Sequence, residues 1–302
     1  MIVIIDTMNS KGEAMYIAEL ETFVHLAHSK NFTKTADACH LVQSTVSNRI
    51  KKLEKRMGID LFKRDNKSVE LTIAGIEFLG YAERMLSIHQ AAIKNISVDT
   101  KYKEVLKVGL TYSVYNTLLK NKLLGFSEIH DQDAIDIAIH PSDILFDQIN
   151  DQLIDLAFVT HRIPSEKLIF EKVASDRIAC VTSANNQRYI KGITIDQLKE
   201  EQVLYCDILP LKMFSWFQSI FGEYYRFKIK INVLHEVLEY VKVLDSYSFI
   251  PYKLAKEGLD SGDLIEIPLL DSEPPMLEYF IITNKNSKSS FIIDDFRKFI
   301  GM

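Results

Sequence analysis

Apolar and polar positions follow two different rhythms along this chain, and the change between them divides it. From Ile17 to Ser29, Leu20, Phe23, Val24 and Ala27 recur at i, i+3, i+4 and i+7, the stripe of an amphipathic helix. Asn31-Phe32-Thr33 interrupts the stripe, and Thr33 is placed to cap a second, short helix over Lys34–His40. Leu41-Val42-Gln43 reads as a tight connection, after which Ser44 caps a third helix with Val46, Ile50, Leu53 and Met57 inward. Gln43, Ser44, Thr45, Ser47, Asn48, Lys51 and Lys52 stay outward on that helix. Gly58 stops it and Ile59-Asp60-Leu61-Phe62 re-enters the core. Lys63-Arg64-Asp65-Asn66-Lys67 is a basic turn, and Ser68-Val69-Glu70-Leu71 alternates as a short strand. From Thr72 one long helix runs to about Ile96, on which Leu79, Ala82, Leu86, His89, Ile93 and Ile96 repeat at spacings of three and four, a coiled-coil seam.

After Asp99-Thr100-Lys101, a polar linker, the rhythm changes to short strands alternating with helices. Val105–Thr111, Ala134–His140, Leu156–Thr160, Ile178–Thr182, Lys228–Val233 and Tyr247–Ile250 read as strands. Leu118–Ile129, Ser142–Gln152, Leu211–Phe221 and Glu236–Leu244 read as helices. Such alternation predicts α/β sheets with crossover helices, and the length suffices for two subdomains with a cleft between them. Three predicted strands end where a helix begins: Thr111 before Tyr112-Ser113, His140 before Pro141-Ser142, and Thr160 before His161. Strand ends that open onto helix N-termini offer free N–H groups and a positive dipole end, which suit a small anion. Each of these hydroxyls also fits an ordinary helix cap.

The third helix concentrates the chemistry of the first hundred residues. Its first turn carries small hydroxyls and amides, which reach base edges, and its later turns carry Lys and Arg, which suit phosphates. A plain surface helix of a bundle would show a similar face; the basic hairpin that follows favours a winged helix-turn-helix, with Arg64 and Lys67 on the wing. The net charge of -5 argues against nucleic acid only when taken as one number. Between Tyr16 and Thr72 ten Lys/Arg face seven Asp/Glu, a local +3, and the remainder holds -8. From Ser44 to Met57 five cations (Arg49, Lys51, Lys52, Lys55, Arg56) stand against Glu54 alone, and phosphates respond to such local clusters.

In that order and spacing the chain resembles the LysR-type transcriptional regulators. The resemblance covers Leu20-Glu21-Thr22-Phe23-Val24, Asn31 to Asp37, Val42 to Ile50, Leu53-Glu54, Gly58 to Arg64, and Leu71 to Gly75. It implies that Gln43, Ser44, Ser47 and Asn48 read bases and that Thr33, Arg64 and Thr72 hold phosphates; the outward face and the basic turn add Thr45, Lys51, Lys52 and Lys67 to the expected contact surface. It implies a dimerisation role for the long helix, with His89 a packed seam residue. It further implies a sensor like periplasmic binding proteins, its effector held by Thr111, Tyr112, Ser113, Ser142 and Thr160, with Cys206 lining the second subdomain. The expected layout is an extension over 1–15 (Met8 and Met15 being alternative starts), a winged helix-turn-helix over 16–73 and a linker helix over 74–98. An effector domain follows over 105–302, with subdomain I at 105–162 and 269–302 and subdomain II at 163–268. Expected partners are double-stranded DNA, a small-molecule effector, a second or further copies in a homodimer or homotetramer, and RNA polymerase. One departure stands out: Leu244-Asp245-Ser246-Tyr247 occupies the place of a glycine pair common in the family.

The remaining chemistry excludes more than it adds. There is no GxxxxGK, GxGxxG or GxSxG motif, so neither an enzyme nor a cofactor is expected. His235-Glu236-Val237-Leu238-Glu239 approaches HExxH but carries Glu at the second histidine position, and no metal site is expected. Cys39, Cys180 and Cys206 form no CxxC pair; they read as inert thiols in a reducing cytosol rather than a redox switch. No apolar run approaches the ~18 residues of a membrane span. A solute-binding protein and an enzyme with an appended DNA module are the competing classes.

Overall fold

The computed structural model describes residues 17–64, 69–96, 101–206, 211–231, 233–287 and 290–302. They belong to two compact units, 1–98 and 99–302. The extension over 1–15 lies outside the described residues. No helix among the described residues is long and apolar enough to cross a membrane.

The N-terminal unit consists of α1 (Ile17–Ser29), α2 (Phe32–Ala38), α3 (Gln43–Met57), the hairpin β1 (Phe62–Arg64) and β2 (Val69–Leu71), and α4 (Ile73–Ile96). Phe23 is the centre of its core: its ring lies 5.4 Å from that of Phe62 and 5.1 Å from that of Phe78, tying helix, hairpin and long helix together. Leu20, Leu26, Ile50, Leu53 and Leu61 close around it. Glu54 is buried in the same unit, where Oε1 accepts the N–H groups of Leu61 (3.0 Å) and Phe62 (3.1 Å) as the chain turns back from α3.

The helix caps differ from the sequence expectation. Thr33 does not cap α2. Asn31 does, its Oδ1 accepting from the N–H of Thr33 (2.9 Å) and Lys34 (3.0 Å), because an amide one step before the helix reaches both orphan donors. Ser44 does not cap α3 either; the helix begins a residue earlier, and Val42 stands at its N-cap with no side-chain bond. Met57 points to solvent, 39 % exposed, because the last turn of α3 overshoots the core before Gly58, at φ 70°, reverses the chain.

The second unit runs β3 (Val105–Leu110), α5 (Tyr112–Val114), a π-helical turn (Tyr115–Leu119), α6 (Lys120–Ile129), β4 (Ala134–Ile139), α7 (Ser142–Asn150), β5 (Leu156–Val159) and β6 (Leu168–Asp176). It continues with β7 (Ile178–Ser183), α8 (Ile195–Lys199), β8 (Val203–Cys206), α9 (Leu211–Phe221), β9 (Ile229–Ile231), α10 (Leu234–Val243), β10 (Tyr247–Pro251), α11 (Tyr252–Ser261) and β11 (Leu264–Glu266). It closes with β12 (Leu277–Asn284) and α12 (Phe291–Phe299). Two five-stranded sheets result, ordered β4-β3-β5-β12-β6 and β11-β7-β10-β8-β9.

In the first sheet β3 runs parallel to both β4 and β5, so their C-terminal ends share one edge. The sheet also sets the subdomain boundary later than the sequence placed it. β6 pairs with β12 in the first sheet, so subdomain I extends to Asp176 rather than ending at 162, and the return falls between Glu266 and Leu277. β6 escaped the sequence reading because it is an edge strand whose Glu171, Lys172 and Asp176 interrupt the apolar alternation.

Two glycines of α4 separate close approach from ordinary helix entropy. A Cβ at Gly75 would collide with the carbonyl oxygen of Leu61, which accepts the N–H of Thr72 at 2.9 Å, whereas Gly80 faces open space. Gly75→Ala is therefore expected to destabilise by about 1–3 kcal/mol through overpacking. Gly80→Ala should instead stabilise by about 0.5–1 kcal/mol through helix propensity. Urea unfolding of the full chain, followed by far-UV circular dichroism, checks the pair; equal midpoints would refute the close approach.

Candidate functional site

Helix α3 is sealed on one side and open on the other. Val46, Ile50 and Leu53 are wholly buried, while Gln43, Ser44, Asn48, Lys51 and Lys52 are exposed and Thr45 and Ser47 half-buried. The five cations counted on this segment do not act together. Arg49 turns back to α1, donating from Nη1 to the Ala18 carbonyl (3.2 Å) and the Thr22 hydroxyl (3.1 Å), and Arg56 pairs with the buried Glu19. Lys51, Lys52 and Lys55 remain on the outer surface. The positive face is narrower than composition suggested, and it is confined to the side that carries the amides and hydroxyls.

The flanking positions behave differently from one another. Thr33 is exposed in the first turn of α2. Thr72 has its polar groups engaged: the hydroxyl donates to the Asp60 carbonyl (2.8 Å) and accepts the Gly75 N–H (3.0 Å), so it caps α4. Arg64 is the last paired residue of β1, opposite Val69; Lys67 lies outside the described residues.

The seam expected on α4 splits. Ala82 is fully buried in the core of its own unit, with Leu79 and Leu86 packed against it, because this stripe covers α1. Ala82 is thus used within the chain and does not face a second helix. His89 is half-buried and Ile93 exposed; the side chain of Ile96 lies outside the described residues. On the opposite side Ile73, Ile76, Tyr81 and Ile88 are exposed, Ile76 at 63 %.

In the second unit the parallel strands bring Thr111 and Ser113, Ser142 and Thr160 to one edge of the first sheet. Thr111 and Ser113 are buried with their hydroxyl oxygens 3.4 Å apart, and the Thr111 N–H donates to the Phe158 carbonyl (3.1 Å). Tyr112 is half-buried beside them. Neither Thr111 nor Ser142 caps its helix with a side-chain bond, so the ordinary capping role does not account for them. Behind them lies the π-helical turn, where Asn116 donates to the Tyr112 carbonyl (3.0 Å) and Thr117 to that of Ser113 (2.7 Å). Cys206 is not a lining residue: at 1 % exposure it packs in the core of the second subdomain.

A cavity of about 340 Å³ opens next to Thr160, lined also by His161, Arg162, Lys212 and the segment Pro275–Glu278 with Phe280. Arg162 is held there on several sides. Its guanidinium lies over the rings of Phe280 (5.0 Å) and Phe170 (5.8 Å), and Nη2 donates to the Phe170 carbonyl (3.0 Å). Lys212, from the second subdomain, reaches Glu278 across the boundary at 3.4 Å, and Lys172 pairs with the same carboxylate at 2.7 Å. Lys172 first and Lys212 second hold the Glu278 carboxyl below its usual range. Arg162 and Lys212 against Glu278 leave the lining net positive beside the apolar side chains of Pro275, Met276, Leu277 and Phe280. Sequence reasoning found Thr160 but missed Arg162, Lys212 and Glu278. Arg162 follows the strand end by two residues, yet the rings that fix it come from β6 and β12, and no local pattern links them.

The described residues contain no cluster of metal-ligating side chains. Cys180 is buried, and burial, with a smaller contribution from Glu266, pushes its thiol up to about 12.

Comparison with known proteins places both halves. Residues 17–76 match the family model described as a bacterial regulatory helix-turn-helix protein of the lysR family, and residues 100–301 match the LysR substrate binding domain. The HTH-type transcriptional regulator HdfR of Escherichia coli is 28% identical over 176 residues. That alignment covers 57% of this chain and 62% of the relative, less than two thirds of its length. Among solved structures, CbnR, described as a LysR family transcriptional regulator, superposes with a TM-score of 0.67 at 16% identity, covering 95% of this chain and 98% of its own. CbnR complexed with its target DNA gives 0.65, and full-length BenM gives 0.52 at 23% identity over 95% of each chain. These likenesses show a shared fold.

The thiols give a direct check on burial. At pH 8 a disulfide reagent should modify Cys39, which is partly exposed, while Cys180 and Cys206 stay protected until the chain is unfolded, when all three react. Rapid modification of Cys180 in the native protein would contradict its burial.

Proposed function

The chain belongs to the LysR family of bacterial regulators, and from that premise we propose that it is a sequence-specific DNA-binding transcriptional regulator controlled by a small anionic metabolite. The main support is the outer side of α3, where Gln43, Ser44, Ser47 and Asn48 precede Lys51 and Lys52 on a helix whose opposite side is sealed. In the major groove such a helix enters by its N-terminal end, so the amides and hydroxyls meet base edges while the lysines meet phosphates. Thr33, Thr45 and the wing residues Arg64 and Lys67 complete the backbone contacts; Thr72 acts by fixing α4 rather than by touching DNA. Double-stranded DNA as partner assigns the protein to the cytosol.

The effector reading rests on Arg162. An exposed guanidinium set against two rings and the Phe170 carbonyl is oriented before it meets a carboxylate or phosphate, and its forked donors match either anion. The hydroxyls of Thr111, Ser113, Ser142 and Thr160 supply the polar contacts along the sheet edge. Lys212 approaches from the other subdomain, so an anion between it and Arg162 favours the closed arrangement. Ligand-dependent control then follows from unequal affinity for open and closed states.

Homo-oligomerisation runs through α4, by the side opposite the one that covers α1. A helix with Ile73, Ile76, Tyr81 and Ile88 exposed has an apolar surface suited to a second copy of itself. A dimer doubles the footprint and reads two half-sites, which a single winged helix is too small to do tightly.

Fluorescence anisotropy against DNA from upstream of the gene, over a salt series with unrelated competitor, tests the reading. Tight, competitor-resistant binding with a steep negative salt slope is expected. Asn48→Ala should cost about 1–3 kcal/mol and relax base discrimination with the salt slope kept. Lys52→Ala should weaken all sequences alike and reduce the slope by about 1. An Asn48→Ala protein that binds its operator like the wild type would remove Asn48 from the interface. Sedimentation velocity tests the oligomer: Ile76→Asp should shift the protein toward monomer, and an unchanged distribution would place the contact elsewhere.

A further inference from the structure

Subdomain II holds a second cavity, of about 310 Å³, between α9 and the edge strand β9. It shares no lining residue with the cavity at Arg162. Its walls are rings. Tyr205 and Phe227 stack at 4.7 Å, and Phe217 stands edge-on to both, at 5.0 and 5.8 Å. Phe221 and Tyr225 add edges 5.3 and 4.8 Å from Phe227. Gly222, at φ 87°, ends α9 in the left-handed conformation and sends the following loop back over the helix, which seats Tyr225 and Phe227 against it. Tyr205 and Phe217 belong to the subdomain core and Phe221 and Phe227 pack against it, and the open volume beside these rings is in the range of ligand cavities, with Phe214, 45 % exposed, also lining it.

The lining carries both signs of charge, Arg226 and Lys230 against Glu223, and Lys230 is engaged with a partner of its own. Arg226 and Glu223 are both exposed, yet among the described residues neither forms an ion pair or hydrogen bond, with the other or with any third group. A ligand matched to this arrangement needs a flat apolar ring for the interior, an anion for Arg226 and a cation for Glu223. We propose that the α9–β9 cavity binds a small aromatic zwitterion of the α-amino acid class, ring inward, with its carboxylate on Arg226 and its ammonium on Glu223. Ring edges and faces at these spacings favour an inserted ring in stacked or edge-on contact. The site goes beyond the regulator reading and does not depend on it, although α9 connects the two cavities: Lys212 in its first turn lines one, and Phe217 and Phe221 line the other.

Trp216 is the only tryptophan in the chain, and its ring lies 5.4 Å from that of Phe217, so its fluorescence reports on the cavity. The test titrates the full-length protein with L-phenylalanine, with 3-phenylpropionate, which lacks the ammonium, and with phenethylamine, which lacks the carboxylate. Expected is a saturable change with Kd below about 1 mM for phenylalanine, and binding at least about tenfold weaker for each analogue. Arg226→Gln should erase the advantage of phenylalanine over phenethylamine, and Glu223→Gln its advantage over 3-phenylpropionate. Arg162→Gln, in the other cavity, should leave all three titrations unchanged. Absence of saturation by phenylalanine through the millimolar range, or equal affinity for the three probes, overturns the proposal. Loss of binding in Arg162→Gln overturns it by placing the ligand in the other cavity. If no probe binds and Phe214→Asp lowers the sedimentation coefficient, the cavity is a contact between copies of the chain, and the proposal fails in that way.

Discussion

The second unit is organised by a pair of strands that lie side by side where the chain leaves one sheet and returns from the other. β6 and β12 pair antiparallel from Leu168↔Asn284 to Leu277↔Asp176, so the outward passage at Asp176-Arg177 and the homeward approach to Leu277 are neighbours. Polar groups pin both passages. Asp176 accepts the Lys253 N–H at the start of α11 (3.1 Å), and Arg177 pairs with Glu266 while its guanidinium sits 3.9 Å over the Tyr252 ring. Burial raises the Asp176 carboxyl above its ordinary range, so that side chain accepts an electrostatic penalty to hold the connection. Glu278, one residue along β12, then ties Lys172 of the first subdomain to Lys212 of the second. The Arg162 cavity lies at this seam, where any change in the angle between the two sheets would be felt.

How much of this the sequence disclosed depends on the range of the interactions concerned. α1 and the buried side of α3 were legible because apolar spacing alone specifies a helix face, and Val46, Ile50 and Leu53 are buried as that spacing requires. Both caps were misplaced by two residues: Asn31 and Thr33 are both competent cap residues, and at α3 the backbone starts after Val42, which has no capping side chain, rather than after Ser44. The hydroxyls of Thr111, Ser113, Ser142 and Thr160 could be grouped because each follows a parallel strand, and parallel strands carry their C-terminal ends to one edge. Arg162 could not, because its importance depends on Phe170 and Phe280, brought in by pairings of long sequence separation. The α4 seam shows the opposite failure. Its three-four spacing was real, but spacing does not say whether a stripe faces another chain or its own domain, and Ala82 proves to face its own.

Charge tells a similar story in the N-terminal unit. Arg49 and Arg56 raise the count of cations near the exposed face of α3, yet both are directed into contacts with α1. A buried or half-buried arginine needs polar partners, and a carbonyl, a hydroxyl and a carboxylate on α1 take the Nη1 donors of Arg49 and Arg56. The two side chains therefore brace the middle and the last turn of α3 against the first turns of α1, while Lys51, Lys52 and Lys55, with flexible stems in water, keep their charge outward. Bracing and external charge are thus divided between arginine and lysine on one fifteen-residue helix.

Gly75 carries this rigidity into the long helix. Because its missing side chain lets α4 press against the Leu61 carbonyl, and because Thr72 ties the same helix to Asp60, α4 starts directly on the segment that leaves α3. Two such units joined through α4 would behave as a caliper. The distance between their tips would be set by the angle at which the two long helices cross. On the proposed dimer, such a caliper would set the spacing of the two half-sites as well as their sequence, so that an insertion of half a helical turn between them would weaken binding even with every base contact preserved.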